Sequence, residues 1–459
     1  MRVSRAIPSP CPPIGFFGRA LSLSPLGGFG SRGAAVAVTP SRTPSPSAPV
    51  PVSGHTSLAS STLPVRLPLF VALMAAMMSL SALAIDINLP AFDDIAEYYG
   101  EEGNRQQLIL FSFMLGYGFP QLLIGPLSDS LGRKSVLRIC LLGYSVCGFA
   151  CMFAPSFGAL LALRAVHGLF SGGVRVLVTS IVRDAVEGRA MARVMSLVMT
   201  LFMVVPILAP GIGQVIIWVA NWQWTFGALG VAGLLVLLWT HVALPETLPA
   251  SERRGLSFER LLDGYRQVFR SRQTVGYMLA SGTIFGSLFA FIGSAEQIYG
   301  DVFDREATFP LWFALGASFL AAANLLNSAV VERFGMRRIS HGALFAFITL
   351  ALANIVLMRV TDENFAVFIS LFVLNFACFG MIGANFSSLA MTPLGRVAGT
   401  AGAVYGFATT TCAAGLGWGV ARRFDGTVGS IIEGFLALGL MSLVIVLVAE
   451  RGRLFGTAD

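Results

Sequence analysis

The sequence predicts an all-α polytopic membrane protein with twelve transmembrane helices in two six-helix halves. Three observations predict it: an apolar composition, apolar blocks of membrane-spanning length, and a charged loop that recurs once. Of 459 residues, 55% are hydrophobic and only 12% charged, and the mean hydropathy is +0.75. A soluble chain of this length needs far more charge to cover its surface. Blocks such as Leu67 to Leu83, Leu229 to Leu244 and Gly434 to Val448 approach or reach the roughly 20 residues that cross about 30 Å of hydrocarbon. The short alternating segments of a transmembrane barrel are absent from the sequence.

In chain order, residues 1–66 carry six arginines and no acid, and so supply six of the seven net positive charges. Their Pro-, Ser- and Gly-rich runs, PSPCPP and TPSRTPSPSAPVPVSG, predict a disordered cytoplasmic tail. No aromatic-basic platform accompanies the arginines, so nucleic acid is not an expected partner. The acid-free, Arg- and Ser-rich character overlaps with organelle targeting peptides, while the prolines oppose the amphipathic helix those use. The tail is expected to be dispensable or an over-extended start of the reading frame, with targeting or another role as the alternatives.

Twelve spans follow at about 67–91, 106–127, 136–156, 158–180, 192–218, 224–244, 274–298, 308–330, 338–358, 364–390, 397–421 and 429–449. They divide into an N-terminal half (67–245), a charged cytoplasmic linker (246–273), a C-terminal half (274–450) and a cytoplasmic C-terminal tail (451–459). The inner loops carry Arg133, Lys134 and Arg138, then Arg183, Arg189 and Arg193, then the arginine-rich linker, then Arg333, Arg337 and Arg338. Outer loops are acidic or neutral, with Asp93, Asp94, Glu97, Glu101 and Glu102 in the first and Asp301, Asp304 and Glu306 in the fourth. This alternation follows the positive-inside rule and predicts a multi-pass inner-membrane protein with both termini cytoplasmic. Arg422 and Arg423 in the last outer loop are the exception, and are expected to snorkel or to pair with Asp425.

The repeat is short. Asp129-Ser-Leu-Gly132-Arg133-Lys134 recurs as Glu332-Arg-Phe-Gly335-Met336-Arg337, an offset of 203 residues that places both segments in equivalent loops of the two halves. Most of the fifty glycines lie inside apolar blocks, where small residues let helices approach closely. The six cysteines include no CxxC pair, and all but Cys11 lie in apolar segments, so neither a metal site nor a disulfide framework is expected.

A few polar residues inside spans carry mechanistic content. Asp86, in SALAIDINLPAF, is a carboxylate that must pair, take up a proton or face a wet cavity. It is a candidate site for a coupling proton or a charged part of the substrate; a fixed ion pair and an interfacial position are the alternatives. Arg164 lies at similar depth and is its candidate partner, while Arg175 falls eleven residues further on, on nearly the same helical face, with Gly168 and Gly172 between. His167 beside that stripe either titrates or packs. Glu296, near the end of the seventh span, is either a counterpart of Asp86 or a solvated helix-end carboxylate. Asn375 and Asn385 are candidates for cavity or interhelix contacts.

Two further motifs concern movement. In GPLSDSLGRKSVL, Asp129, Gly132, Arg133 and Lys134 are expected to form a tight charged turn, with Asp129 accepting from the N–H groups of a neighbouring helix end. Such a turn would act as a cytoplasmic latch that breaks as the halves rock apart; a solvated topogenic loop is the alternative. In PILAPGIGQVI, Pro206, Pro210, Gly211 and Gly213 should bend the fifth span and let it pack closely on a neighbour.

These motifs resemble the major facilitator superfamily: GPLSDSLGRKS resembles its signature loop after the second helix, RAVHGL its fourth-helix pattern, and LAPGIG the fifth-helix motif of drug:proton antiporters. His167 stands where a glutamine is usual, and Ala209 where the antiporter motif has glycine. DINLPAFDDIA, SIVRDAVEGRAMARVMS, LPETL and GANFSSLAMTPLGRVAGTAGAVYGF resemble the bicyclomycin/chloramphenicol-resistance (Bcr/CflA) branch. The resemblance covers about residues 67–450. It implies a major facilitator fold, alternating access, Asp86 as a proton or substrate-charge site, Asp129 and Arg133 in the cytoplasmic gate, Arg164 in proton coupling, and Pro210 with Gly211 in the antiporter helix.

The expected function is proton-coupled efflux of drug-like small molecules by a monomer in the lipid bilayer, with a proton-coupled carrier of a metabolite such as a sugar or nucleoside as the alternative. A drug carrier recognises broad, weakly polar cargo, whereas a metabolite carrier needs several directed hydrogen bonds. The few polar residues visible within spans favour the drug reading. No phosphate-binding loop and no nucleophile-base constellation is visible, so no cofactor is expected and an enzyme is not.

Overall fold

A computed structural model describes residues 65–456, apart from Arg254, Leu256, Ser257 and Asp362. Residues 1–64 and 457–459 lie outside the described residues, and with them nearly all of the expected N-terminal tail. Every regular element among the described residues is helical.

The first group of helices runs α1 (Leu67–Asp86), α2 (Phe92–Tyr99), α3 (Leu108–Gly118), α4 (Pro120–Leu131), α5 (Arg133–Met152), α6 (Phe157–Ala185), α7 (Gly188–Phe202), α8 (Val204–Val219) and α9 (Gln223–Ala243). Then come α10 (Phe258–Arg270), α11 (Arg272–Gln297), α12 (Phe309–Phe334), α13 (Met336–Val360), α14 (Phe365–Met391), α15 (Ala398–Ala421) and α16 (Gly429–Ala449). In the first group α1 packs against α6, α7, α8 and α9, α3 against α6, and α5 against α6 and α9. In the second, α11 packs against α14, α15 and α16, α13 against α14 and α16, and α12 against α14. The groups meet where α15 touches α3 and α4, where α12 touches α8, and where α11 touches the turn Leu89–Ala91.

Among the described residues, ten helical stretches are long and apolar enough to cross a membrane, and α3 with α4, bent by 41°, makes an eleventh. Pro120 opens α4 without a backbone N–H to continue the ladder of α3, which accounts for the bend. The twelve expected spans are therefore not all matched by length and composition. The shortfall is α15: its 24 residues are long enough, but glycine, alanine and threonine dominate AGTAGAVYGFATTTCAAGLGWGVA and dilute its apolarity. Those small residues suit its place between α11, α3 and α4. Elsewhere apolar side chains point outward, as Ile139, Leu142 and Val146 on α5 and Leu234, Leu235 and Leu238 on α9 do. Such a surface is stable only against lipid.

The segment expected as a charged linker contains a helix. Along α10, Val268 packs into a small core with Met278, Leu394, Ala401 and Val404, and the Tyr265 hydroxyl donates to the Leu122 carbonyl of α4 at 3.2 Å. The helix escaped sequence reading because its arginines masked the apolar stripe. The repeated loop, in contrast, keeps its backbone: Gly132 (φ 95°, ψ 145°) precedes α5, and Gly335 (φ 81°, ψ 149°) precedes α13 in the same left-handed conformation, which glycine adopts without strain.

Close approach positions the central side chains. A Cβ on Gly168 would overlap the Phe113 carbonyl of α3, one on Gly172 the Tyr117 carbonyl, and one on Gly116 the Ala165 carbonyl of α6. The crossing of α3 and α6 is backbone against backbone, and it carries Arg164 into the interior.

Candidate functional site

Asp86 ends α1, is 3% exposed, and makes no ion pair or side-chain hydrogen bond among the described residues. Arg164 is 1% exposed but does not pair with it. Its Nη2 donates to the Ala84 carbonyl at 2.8 Å, its Nε to the Ile109 carbonyl at 3.3 Å, and its Nη1 to His167 Nδ1 at 3.2 Å, while its plane lies 4.4 Å from the Phe113 ring centre. The expected partnership of Asp86 with Arg164 is thus corrected: the guanidinium fork is spent on α1 and α3 carbonyls and on the histidine. An arginine can only donate, so His167 accepts at Nδ1 and carries its proton on Nε2, which has no partner. The ring is held between Tyr144 and Phe113, which makes His167 a buried structural acceptor of the Arg164 side chain.

Arg175 lies on the same face of α6, one long step towards the arginine-rich end. It is exposed. Its Nη1 donates to the Tyr117 hydroxyl at 3.2 Å, and Tyr405 of the second group is close by, with its own hydroxyl donating to Ser281 Oγ at 2.8 Å. Of the bend motif, Pro206 and Pro210 lie within α8, and Gly213 meets α1: a Cβ there would overlap the Ile87 carbonyl, next to Asp86. Gly211 faces open space. The motif therefore brings α8 onto the end of α1 through one glycine.

Glu296 is 6% exposed, not a solvated helix-end carboxylate. It sits beside Asp93 of the first group, and its Oε2 has no partner. The same end of the molecule is tied by a chain of amides. Gln107 Nε2 donates to Ser294 Oγ at 3.1 Å and to Gln297 Oε1 at 2.8 Å; Gln297 Nε2 donates to Asn104 Oδ1 at 3.0 Å; and Asn104 Nδ2 donates to the Phe424 carbonyl at 2.8 Å. This clasp joins the two groups at the acidic face. Gln107→Ala removes two of its bonds, about 1–2 kcal/mol, and is expected to shift an open-to-closed ratio roughly tenfold towards open. Spin labels at the exposed Glu102 and Arg423 positions would show a larger population of long distances; an unchanged distance distribution would mean the clasp does not hold the groups together.

Of the two alternatives for Arg422 and Arg423, snorkelling or pairing with Asp425, the pair is not formed: Asp425 accepts from the Thr427 hydroxyl at 2.8 Å and its N–H at 3.1 Å, which hold its carboxyl below the usual range. Arg422 lies over the Trp418 ring at 5.3 Å.

At the arginine-rich face, Arg133 is 3% exposed and gathers several partners. It pairs with Asp129 at 2.5 Å and through Nε with Asp184 Oδ2 of α6 at 2.8 Å, and it donates to Ser128 Oγ at 2.5 Å. Glu246 accepts from the Arg133 N–H at 2.9 Å and so caps α5, while Lys134 Nζ donates to the His241 carbonyl at 3.1 Å. Gly132 is required twice over, by its positive φ and because a Cβ would crowd Glu246 and Arg253. Asp129 does not accept from a neighbouring helix end, and this cluster ties α4, α5, α6 and the segment after α9 within one group rather than across the two. Arg133→Ala leaves Asp184 without its cation and is expected to cost about 3 kcal/mol. Thermal unfolding of the purified protein reads this as a lower midpoint, and an unchanged midpoint would remove the cluster from the stability of this face.

Sequence reading missed Asp184, Glu246 and Glu450. A signal existed: Glu246 lies in LPETL, and Glu450 stands one residue from the repeat offset of it. Glu450 meets the start of α13 through side chains where Glu246 meets α5 through backbone N–H groups: it accepts from Arg337 Nε at 2.9 Å and from the Tyr277 hydroxyl at 2.7 Å. Also missed were Gln121, Asn327, Asn354 and Thr410, spread singly along apolar helices, whereas the sequence singles out Asn375 and Asn385. Asn385 donates to Asn327 at 2.7 Å and Gln121 to Thr410 at 3.4 Å, while Asn354 and Asn375 are buried with both amide atoms unpartnered. Among the described residues, no cluster of three or more His, Cys, Asp or Glu could hold a metal.

Residues 69–421 match the family described as Major Facilitator Superfamily. The uncharacterized MFS-type transporter YdgK of Bacillus subtilis is 30% identical over 333 residues, 71% of this chain and 82% of that protein. A bicyclomycin resistance protein homolog of Haemophilus influenzae is 27% identical over 268 residues, 58% of this chain and 67% of that protein. The xylose transporter XylE of E. coli, in a partially occluded inward-open conformation, has the same fold, with a TM-score of 0.66 at 11% identity over 86% of this chain and 99% of that one. The chain belongs to the Major Facilitator Superfamily, a multi-pass membrane transporter rather than an enzyme.

Proposed function

We propose that this transporter moves a small molecule across the bacterial inner membrane by alternating access, coupled to protons. In this reading α15 is the twelfth span, since 24 residues reach about 36 Å, and two six-helix halves (67–245 and 274–450) rock about the α3/α4–α15 and α8–α12 contacts. Both termini are then cytoplasmic, with the Arg133 cluster at the inner face. The observation that carries the coupling is Asp86: a carboxylate closed off in a span, with Arg164 turned to backbone carbonyls instead. An unmatched charge there is costly, so gain or loss of a proton changes the balance between cavity states. Glu296, beside Asp93 at the clasp, is the second carboxylate suited to that role. The Arg175–Tyr117 pair, with Tyr405 opposite, lines the path.

Cargo has two readings. The buried amides Asn354 and Asn375, with Asn327–Asn385 and Gln121–Thr410, supply more directed hydrogen-bonding groups than the sequence suggested. They favour a polar metabolite such as a sugar or nucleoside. The name of the Haemophilus relative supports the second reading, export of drug-like compounds within the Bcr/CflA branch. Everted vesicles of a host lacking its own carriers would be energised and screened with labelled sugars and nucleosides, and the same host tested against an antibiotic panel. Proton-driven flux of a sugar or nucleoside is expected; raised resistance without any such flux would overturn the metabolite reading in favour of drug export.

A further inference from the structure

Where α11 begins and α16 ends, Arg270, Arg272, Arg451 and Arg453 surround a cleft of about 600 Å³ floored by Gln273, Ala449 and Glu450. None of the four guanidinium groups makes an ion pair or a side-chain hydrogen bond among the described residues. Each arginine is exposed. The one acid in the cleft is already matched: Glu450 Oε1 accepts from Arg337 Nε at 2.9 Å and from the Tyr277 hydroxyl at 2.7 Å. Four like charges therefore face one another without compensation, which raises the energy of the cleft and favours an anion within it.

The backbone sets this arrangement in place. Arg451 adopts φ +54°, a conformation L side chains rarely take, as the chain leaves α16 through Gly452 at φ +76°. The turn is closed by Gly452 N–H donating to the Leu447 carbonyl at 2.8 Å, so the two arginines that flank Gly452 stand over the end of α16. On the other wall the first turn of α11 follows Arg270 directly, with Ser271 capping the Thr274 N–H at 3.3 Å and the positive end of the helix turned to the cleft. Guanidinium forks match phosphate oxygens in pairs. Both walls are ends of membrane-spanning helices, so the cleft opens at the level where phospholipid headgroups lie.

We propose that this cleft binds an anionic phosphate group, as carried by the headgroup of an acidic phospholipid. The full chain, purified in a neutral detergent, is titrated by calorimetry with dihexanoylphosphatidylglycerol and separately with inorganic phosphate. The lipid is expected to bind, and the double variant Arg270→Gln with Arg453→Gln to bind it at least tenfold more weakly. A second pair, Arg272→Gln with Arg451→Gln, reads the same loss should the first fail to give a monodisperse protein. Tighter binding of the lipid than of inorganic phosphate identifies a headgroup as the source; the reverse order, with the same loss in the variants, identifies a soluble phosphate. Equal affinities of wild type and variants for both probes would overturn the site.

Discussion

Gly168→Leu is expected to prevent stable folding of the membrane domain. The glycine faces the Phe113 carbonyl with no room for even a Cβ, and the next helical turn repeats the contact at Gly172 against Tyr117. Because the obstacle is backbone and not the end of a flexible side chain, no rotamer change relieves it. The α3–α6 pair would have to separate, at a cost of more than about 3 kcal/mol. Separation would also pull Arg164 from the Ile109 carbonyl and His167 from its slot between Tyr144 and Phe113. Membrane abundance and detergent-extracted monodispersity should both fall sharply. Gly211→Ala, at a glycine with nothing within reach of its Cβ, should leave both unchanged and serves as the control. Wild-type abundance of Gly168→Leu would show that the close crossing does not exist.

That crossing marks what the sequence could and could not convey. Apolar blocks separated by charged loops were enough to expect nearly every span, because a bilayer imposes its thickness on each helix alone. The repeat was legible at Gly132 and Gly335 for a similarly local reason: a left-handed residue at the start of a helix demands glycine in both loops. The bent α3–α4 span announced itself less clearly, since Pro120 reads as an ordinary apolar-segment proline until the two axes are seen.

The site was legible as a set of residues and not as a set of partners. Asp86 and Arg164 do both lie buried, as carboxylate and guanidinium inside apolar spans suggested. Yet equal depth fixes only one coordinate, and rotation about the helix axis decides the rest. Arg164 found the carbonyl of Ala84, two residues before Asp86, which stands about 200° round the helix from it. Likewise Arg133 was singled out, but Asp184 and Glu246, 51 and 113 residues away, could be joined to it only by the fold. Long-range polar pairs of this kind leave no periodicity, and the buried amide Asn354 leaves none either.

Coupling through Asp86 has the largest functional consequence. The carboxylate is the charge in α1 without a partner, beside the Ile87 carbonyl on which Gly213 of α8 rests, so in the proposed coupling its protonation state would act where the first and fifth spans touch. If protons drive the cycle there, Asp86→Asn keeps the shape and removes the titration. Cargo exchange without a gradient should continue, because the substitution leaves the proposed path past Arg175, Tyr117 and Tyr405 untouched. Gradient-driven accumulation should not. With one proton per cargo molecule, a gradient of two pH units sustains at most about a hundredfold accumulation, and loss of coupling reduces this to about one.

The most direct test is therefore made in proteoliposomes holding wild type or Asp86→Asn at equal density, with the cargo identified by the vesicle screen. Accumulation is measured under an imposed pH gradient, and counterflow without one. The predicted result is counterflow in both proteins and accumulation in wild type alone; equal gradient-driven accumulation by Asp86→Asn would contradict proton coupling at this carboxylate.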